Sequence, residues 1–377
     1  MKIGIVCYPT YGGSGVIATE LGKALAGYGH EVHFISYAPP MRLDGFSGNV
    51  FFHEVEMTNY PLFEFPLYTS ALASKIVEVT KFEKLELVHV HYAIPHAISA
   101  HLARDILEGK LCFITTLHGT DITLVGLEPS FLPLMKFTIE NSDGVTAVSR
   151  FLREKTTTNY GIHKEIAVIP NFVDTEKYRR IPSEEVCERF APDGEKIVVH
   201  ISNFRQVKRV PDAIKVFARI REKIPAKFLL AGDGPERSAC EILTRELGLQ
   251  DHVRFLGKQN ELVPLLSASD LMIMPSQSES FGLSALEAMA CEVPVISSSV
   301  GGLPELQVHG ETGFIAEIGD VDRMARYAID LLTNDTKRSI FSQACRKRAV
   351  EHFDVHKIVH QYVEYYEECL SGTRAVT

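Results

Sequence analysis

The chain has no run approaching the roughly 18 consecutive apolar residues that a membrane-spanning helix needs, so no span is expected. It has no basic stripe either. Its 39 lysines and arginines stand against 48 aspartates and glutamates, a formal net charge of −9, which argues against nucleic acid and anionic membrane as partners. The seven cysteines (Cys7, Cys112, Cys187, Cys240, Cys291, Cys345, Cys369) are scattered with no C-x-x-C pair, the pattern of reduced, buried thiols in a cytoplasmic chain. No G-x-x-x-x-G-K-[ST] occurs, which excludes a P-loop phosphotransferase. The opening MKIGIVCY stops at Pro9 without a small-residue cleavage site, so it reads as a strand and not a signal peptide. No 20–50-residue repeat and no low-complexity segment is visible.

What the chain has is length and alternation. Its 377 residues exceed one ordinary core and imply two domains. Strands such as Ile3–Tyr8, Glu31–Ser36, Leu87–His91, Cys112–Thr116 and Gly144–Val148 alternate with helices such as Ile17–Gly27, Ala71–Phe82, Ala97–Leu107 and Phe151–Tyr160, the signature of a parallel sheet covered on both faces. Pro170 to Gly194, with Pro182 and Pro192 and a charge-rich run, breaks the rhythm and reads as the linker. The pattern restarts at Ile197–Ser202 and runs to two long terminal helices. The expectation is α/β: two doubly wound Rossmann-like domains, 1–170 and 171–354, with 355–377 forming a helix that packs back on the first.

The unusual residues fall directly after the strands. Gly, His, Asn and paired charges concentrate there in both halves, and open α/β sheets bind ligands outside the carboxyl ends of their strands, so the two decorated edges are expected to face a central cleft. The most informative stretch is Ser276–Met289, SQSESFGLSALEAM, which leads from the apolar run Leu271–Met274 into a helix. Glu279 and Glu287 lie eight apart, too far to be neighbours on one helix face, so they address two parts of one extended ligand. Gly282 lets backbone approach that ligand, and the helix start favours an anion. In Asn203–Arg209, NFRQVKR, Arg205 and Lys208 are spaced to grip one diphosphate.

Gly13-Ser14-Gly15-Val16-Ile17-Ala18 matches G-x-G-x-x-G/A, but the acid that should end the second strand is missing (VHFIS runs into Tyr37-Ala38-Pro39), so a nicotinamide cofactor is not expected. His89, His91, His96 and His101 raise the question of a metal. No cysteine or carboxylate completes a ligand spacing, and they read as polar lining or core. His118, in TTLHGTD, follows a strand and precedes a glycine, so it can reach a ligand; Arg150 is a lone cation suited to a small carboxylate.

Taken together, Glu279-x7-Glu287, Arg205 with Lys208, and the GGSG loop resemble the GT-B retaining glycosyltransferases of family four, over nearly the whole chain. The segments CYPTYGGSGVIATELGKALA, HVHYAIPHA, TTLHGTDIT and NFRQVKRVPDAI narrow the likeness to members that use UDP-N-acetylglucosamine as donor and L-malate as acceptor, at the start of bacillithiol biosynthesis. The resemblance implies that Arg205 and Lys208 hold the diphosphate, that Glu287 binds the ribose, and that Glu279 with the amides of Phe281, Gly282 and Leu283 holds sugar and diphosphate. It also implies that His118 meets the sugar's primary hydroxyl, that Lys258 meets the uracil through its backbone, that Gly13 lies near the donor, and that Gly13, Ser14, Tyr92, Thr116 and Arg150 serve the acceptor. Catalysis would then rest on Arg205, Lys208, Glu279 and His118, with no metal and no cofactor beyond the sugar nucleotide. Competing readings are a related transferase with an inositol phosphate or lipid acceptor, a sugar-nucleotide 2-epimerase, and a non-catalytic sugar-nucleotide binder. Oligomeric state stays open, a homodimer included.

Overall fold

The structure, a computed structural model, describes residues 1–10, 12–43, 48–57, 67–123, 126 and 128–374; Tyr11 of the glycine-rich loop and residues 375–377 of the expected C-terminal segment lie outside them. The chain divides into two compact units, Met1–Asn171 with Val355–Thr377, and Phe172–Asp354.

The first unit runs β1 (Lys2–Val6), α1 (Gly13–Gly27), β2 (Glu31–Ser36), β3 (Val50–Glu54), α2 (Tyr68–Glu83), β4 (Leu87–His91), α3 (Ile98–Ile106), β5 (Cys112–Leu117), α4 (Thr120–Thr123), α5 (Leu132–Asn141), β6 (Gly144–Ala147), α6 (Arg150–Tyr160) and β7 (Ala167–Val168). The second runs α7 (Glu184–Phe190), β8 (Lys196–Ile201), α8 (Val210–Arg221), β9 (Ala226–Ala231), α9 (Arg237–Glu246), β10 (Val253–Gly257), α10 (Val263–Ala268), β11 (Leu271–Met274), α11 (Leu283–Ala290), β12 (Val295–Ser298), α12 (Leu303–Leu306), β13 (Gly313–Ala316), α13 (Val321–Thr333) and α14 (Asp335–His352). Helix α15 (Val355–Arg374) belongs to the first unit. No helix among the described residues is long and apolar enough to cross a membrane.

The inner strands are short and buried on both faces, so β4, β5 and β11 show no polar alternation in burial, whereas the outer strands β3, β7 and β10 are partly exposed. The helices bury one stripe. In α13, Met324, Ala325, Ala328, Leu331 and Leu332 recur at helical spacing and face the core. Each sheet is wholly parallel, in the order β3-β2-β1-β4-β5-β6-β7 and β10-β9-β8-β11-β12-β13. In both, the winding reverses beside the first strand, between β1 and β4 and between β8 and β11. At such a switch point the two connections leave in opposite directions and open a crevice at the strands' carboxyl ends.

The stretch expected as a linker is mostly folded. Phe172, Val173 and Tyr178 are buried, Val173 donates its N–H to Phe353 O at 2.9 Å, and α7 follows. The prolines punctuate this segment, but its apolar side chains take it into the core of the second unit. Helix α15 packs its tyrosines inward. Tyr362 and Tyr366 are fully buried, the Tyr366 hydroxyl lies 2.7 Å from His89 Nδ1, and the Tyr365 hydroxyl accepts from Val145 N–H at 2.8 Å and donates to Val145 O at 3.1 Å. Tyr366→Phe removes the partner of a buried ring nitrogen and should destabilise the first unit by about 1–3 kcal/mol, the cost of an orphaned buried polar group. Chemical denaturation of the variant measures it, and a loss close to zero would mean that the His89 contact contributes nothing.

Candidate functional site

In the second unit, two loops meet at the switch point. After β8, Phe204 is fully buried with φ 41° and anchors the loop in the core. A short 3-10 turn, Gln206–Lys208, and its two flanking residues then present three cations in different ways. Arg209 turns back to Asp212, Nε to Oδ2 at 2.7 Å, so it serves the start of α8. Arg205 is exposed. Lys208 crosses the switch point to Glu279 in the loop after β11, Nζ to Oε1 at 2.5 Å, and Ser276 Oγ donates to the same oxygen at 3.0 Å. The pair is partly buried, with side-chain exposures of 20% and 11%, and the loops are joined beneath it by Gln277 N–H donating to Val207 O at 2.7 Å. The backbone of Glu279 is held from the other side. Gly302 N–H donates to Glu279 O at 3.0 Å, and at Gly301 (φ 57°) a Cβ would lie 1.6 Å from that oxygen, so only glycine fits.

Gly282 starts α11 with φ 100°, and Phe281 buries its ring against Phe353 at 5.6 Å. This arrangement leaves the first-turn N–H groups of Leu283 onward without intrahelical acceptors at the positive end of the helix dipole. Glu287, five residues into the helix, is only 4% exposed, which sets it apart from a solvated helix carboxylate. Lys258 stands outside this group. It is exposed and follows β10, the outer strand, two places from β8. His200 was not singled out in the sequence. It is buried in β8, with Nδ1 2.8 Å from Ile273 O and Nε2 2.8 Å from Ser202 Oγ, and burial pushes it down to about 4. A histidine inside the apolar run IVVHI was the signal available.

The first unit's switch point lies between the glycine-rich loop after β1 and the loop after β4. Ser14 Oγ and Tyr92 OH are 2.6 Å apart across it. Gly15 permits the close approach: a Cβ there would lie 2.6 Å from Tyr8 O. Tyr92 adopts φ 89° and donates its backbone N–H to Thr116 O at 2.9 Å; burial pushes its phenol up to about 12. Gly13 and Arg150 are exposed, at the starts of α1 and α6. Thr116 differs from its expected role as a direct contact. It is fully buried, and its hydroxyl lies 2.6 Å from both His89 Nε2 and Thr146 Oγ1, so it sits one layer behind the edge, where the sheet's interior claims it.

His118 is half-buried, with Nε2 2.8 Å from His91 Nδ1. Burial first, and His96 second, push it down to about 3, so it is neutral near pH 7 and can exchange hydrogen bonds but carries no charge. The structure also adds Asp121. Its buried carboxylate accepts from Ala93 N–H (3.1 Å), Gly119 N–H (2.9 Å) and His118 N–H (3.3 Å), and so ties the loop after β4 to the loop after β5. Burial outweighs those three donors and pushes it up to about 6. The TTLHGTD segment contained this residue, but only the fold shows what it holds. His89, His91 and His96 gather in the interior, while His101 faces Phe137 on α5. Among the described residues this stretch forms no set with metal-ligand spacing.

Two doubly wound parallel-sheet units, one with a cation–carboxylate pair at its switch point beside a helix start, are those of a GT-B glycosyltransferase. The chain belongs to the family four glycosyltransferases: residues 11–177 match Glycosyltransferase Family 4, and residues 184–348 match Glycosyl transferases group 1. It is 47% identical over 371 residues, 98% of this chain and 97% of the relative, to N-acetyl-alpha-D-glucosaminyl L-malate synthase of Bacillus anthracis. It is 27% identical over 298 residues, 75% of this chain and 76% of the relative, to a GDP-mannose-dependent alpha-(1-6)-phosphatidylinositol monomannoside mannosyltransferase of Mycolicibacterium smegmatis. Among solved structures, sucrose-phosphate synthase of Thermosynechococcus elongatus shares the fold with a TM-score of 0.82 at 22% identity, covering 99% of this chain and 100% of that one. Anabaena HepE in complex with UDP does so with a TM-score of 0.80 at 22% identity, covering 98% and 100%.

The buried histidines make a pH prediction. In the fold His89 and His118 titrate at about 3 and His96 at about 4, and His91 is also held well below its usual value. An unfolded imidazole titrates near 6.5. The stability that neutral rings confer is therefore present above about pH 6.5 and is lost as pH falls toward 4, because the unfolded chain takes up protons that the fold refuses. Asp121 acts the other way, gaining as pH falls through 6, but it is one group against four. Hydrogen exchange in β4 and β5 should quicken markedly between pH 7 and pH 5, after correction for the intrinsic rate. Constant or rising protection would show that these rings charge within the fold.

Proposed function

We propose that this enzyme transfers N-acetylglucosamine from UDP-N-acetylglucosamine to the hydroxyl of L-malate with retention at the anomeric carbon, the first step of bacillithiol biosynthesis. The observation that carries the choice of substrates is the 47% identity, over nearly the full length of both chains, to the Bacillus anthracis synthase. The second unit's edge supplies what such a donor needs: two cations, a partly buried carboxylate and a helix start within one switch point.

In this reading Arg205, Lys208 and the first-turn amides of α11, including those of Phe281, Gly282 and Leu283 at its approach, receive the diphosphate. Glu279 orients the sugar and Lys208, and Glu287 takes the ribose hydroxyls. His118, neutral, meets the sugar's primary hydroxyl, and Lys258 meets the uracil through its backbone. On the first unit Gly13, Ser14, Tyr92 and Arg150 serve malate, with Arg150 on a carboxylate and Thr116 supporting from behind.

The bond between the anomeric carbon and the diphosphate oxygen breaks, and the malate hydroxyl bonds to that carbon from the same face. Its proton passes to the departing phosphate oxygen, giving UDP and the glycoside. Negative charge on the leaving group grows as this proceeds, and fixed donors already in place meet it without a metal. A covalent glycosyl intermediate is not invoked.

UDP release from UDP-N-acetylglucosamine should depend on L-malate, persist in EDTA, and give by mass spectrometry a glycoside of the two. Release without malate would replace this reading with an epimerase or hydrolase. Lys208→Ala should lower turnover by about 10²-fold or more, the scale of one preorganised charge donor; near-normal turnover would remove Lys208 from the mechanism. Arg150→Ala should raise the KM for malate and leave that for the donor unchanged. An unaltered malate KM would take Arg150 off the acceptor.

A further inference from the structure

Away from both switch points, the outer strands of the first unit hold a group of side chains that the transfer reaction does not use. β2 and β3 are parallel, with His33 beside Phe51 and Ile35 beside His53. Side chains alternate along a strand, so His33, Ile35, Phe51 and His53 share one face of the sheet. It is the face that α2 covers, since Ile35 packs with Leu72, Ile76 and Val79. The last residue of α2, Glu83, reaches the same place. One ligating atom from each of His33, His53 and Glu83 lies within 4.8 Å of the others.

The two imidazoles meet nitrogen to nitrogen, His33 Nδ1 to His53 Nε2 at 2.9 Å. The far nitrogen of His33, Nε2, lies 3.0 Å from Glu31 Oε1, and Glu31 is itself held by Lys2 Nζ at 2.6 Å. A carboxylate on the distal N–H fixes the tautomer and leaves Nδ1 as a lone pair facing His53 Nε2. Histidines that bind metals are held in this way. His33 is fully buried and packed flat against Phe51 at 4.9 Å, so its lone pair is rigid; His53 and Glu83 are half-exposed and can adjust. Two nitrogens on a tetrahedral zinc sit about 3.3 Å apart, from bond lengths near 2.0 Å, so a small opening of this pair admits the ion.

The geometry points to a site for a divalent transition metal of the zinc type, ligated by His33, His53 and Glu83 with Glu31 as the supporting carboxylate and one position open to water. It would tie the edge strand β3 to the end of α2. It lies on strands that the metal-free expectation, drawn from His89 to His101, did not consider, and it takes no part in sugar transfer.

Chelator-treated full-length protein is titrated with Zn2+ by calorimetry and with Co2+ by visible absorption. The expected result is saturation at one equivalent, a Co2+ spectrum of low coordination number, and a raised melting midpoint. Glu31→Gln should weaken binding by about 10–100-fold, the usual effect of losing the supporting carboxylate, and His53→Gln and Glu83→Gln by at least as much. The latter two positions are half-exposed, so metal-free melting curves close to that of the parent confirm that these variants fold. No stoichiometric uptake, or uptake indifferent to His53→Gln and Glu83→Gln, would overturn the site and leave the imidazole pair as a plain hydrogen bond.

Discussion

Each sheet is wound outward in both directions from its first strand, and the site proposed for sugar transfer is built around the gap that such winding leaves. Where β8 meets β11, the connections part and the strand ends are left uncovered. Backbone groups there lack the packing that hides them elsewhere, so the loops must satisfy one another. Gln277 N–H to Val207 O and Gly302 N–H to Glu279 O do this for the second unit. In the first unit Asp121 and the Tyr92–Thr116 backbone bond join the loop after β4, one side of the switch point, to β5 and the loop beyond it. The polar residues at these edges are in part the fold's own repairs, and the same repairs hold charged groups where a ligand can use them.

The Lys208–Glu279 pair shows how small the margin is. Two unit charges 4 Å apart attract by about 4 kcal/mol at the effective dielectric of a protein surface. Removing them partly from water costs a comparable amount, so such a pair contributes little net stability. On the function proposed above, a diphosphate arriving at α11 would recruit Lys208 without a large loss, while Ser276 keeps Glu279 oriented. In the proposed reaction the pair serves as a holding arrangement for two charges that sugar transfer would use.

The first unit follows a different rule. Its interior below the edge is a layer of neutral polar groups (Tyr366, His89, Thr116, Thr146) closed by hydrogen bonds that end on α15. A last helix that is remote in sequence thereby completes the support of a loop near residue 118. Burying so many imidazoles is tolerable only while they stay uncharged.

Strand, helix and their alternation were legible in the sequence because apolar period and turn residues are local properties, and so was the placing of Arg205, Lys208, Glu279 and His118 after strands. Tertiary structure decided the rest. The motif NFRQVKR offers three cations on equal terms; only the fold assigns Arg209 to Asp212 and Lys208 to Glu279, since each partner is supplied by folding. Thr116 reads as an edge residue and proves to be interior, because the depth of a strand end depends on its neighbours β4 and β6. The prolines of 170–194 suggested a linker, yet Phe172 and Tyr178 are buried, because a turn residue says where a chain bends and not what it bends against. Asp121 and the His33–His53 pair were invisible for the same reason. Ala93, which Asp121 holds, lies 28 residues away and His53 lies 20 from His33, and distance in space is what a sequence does not contain.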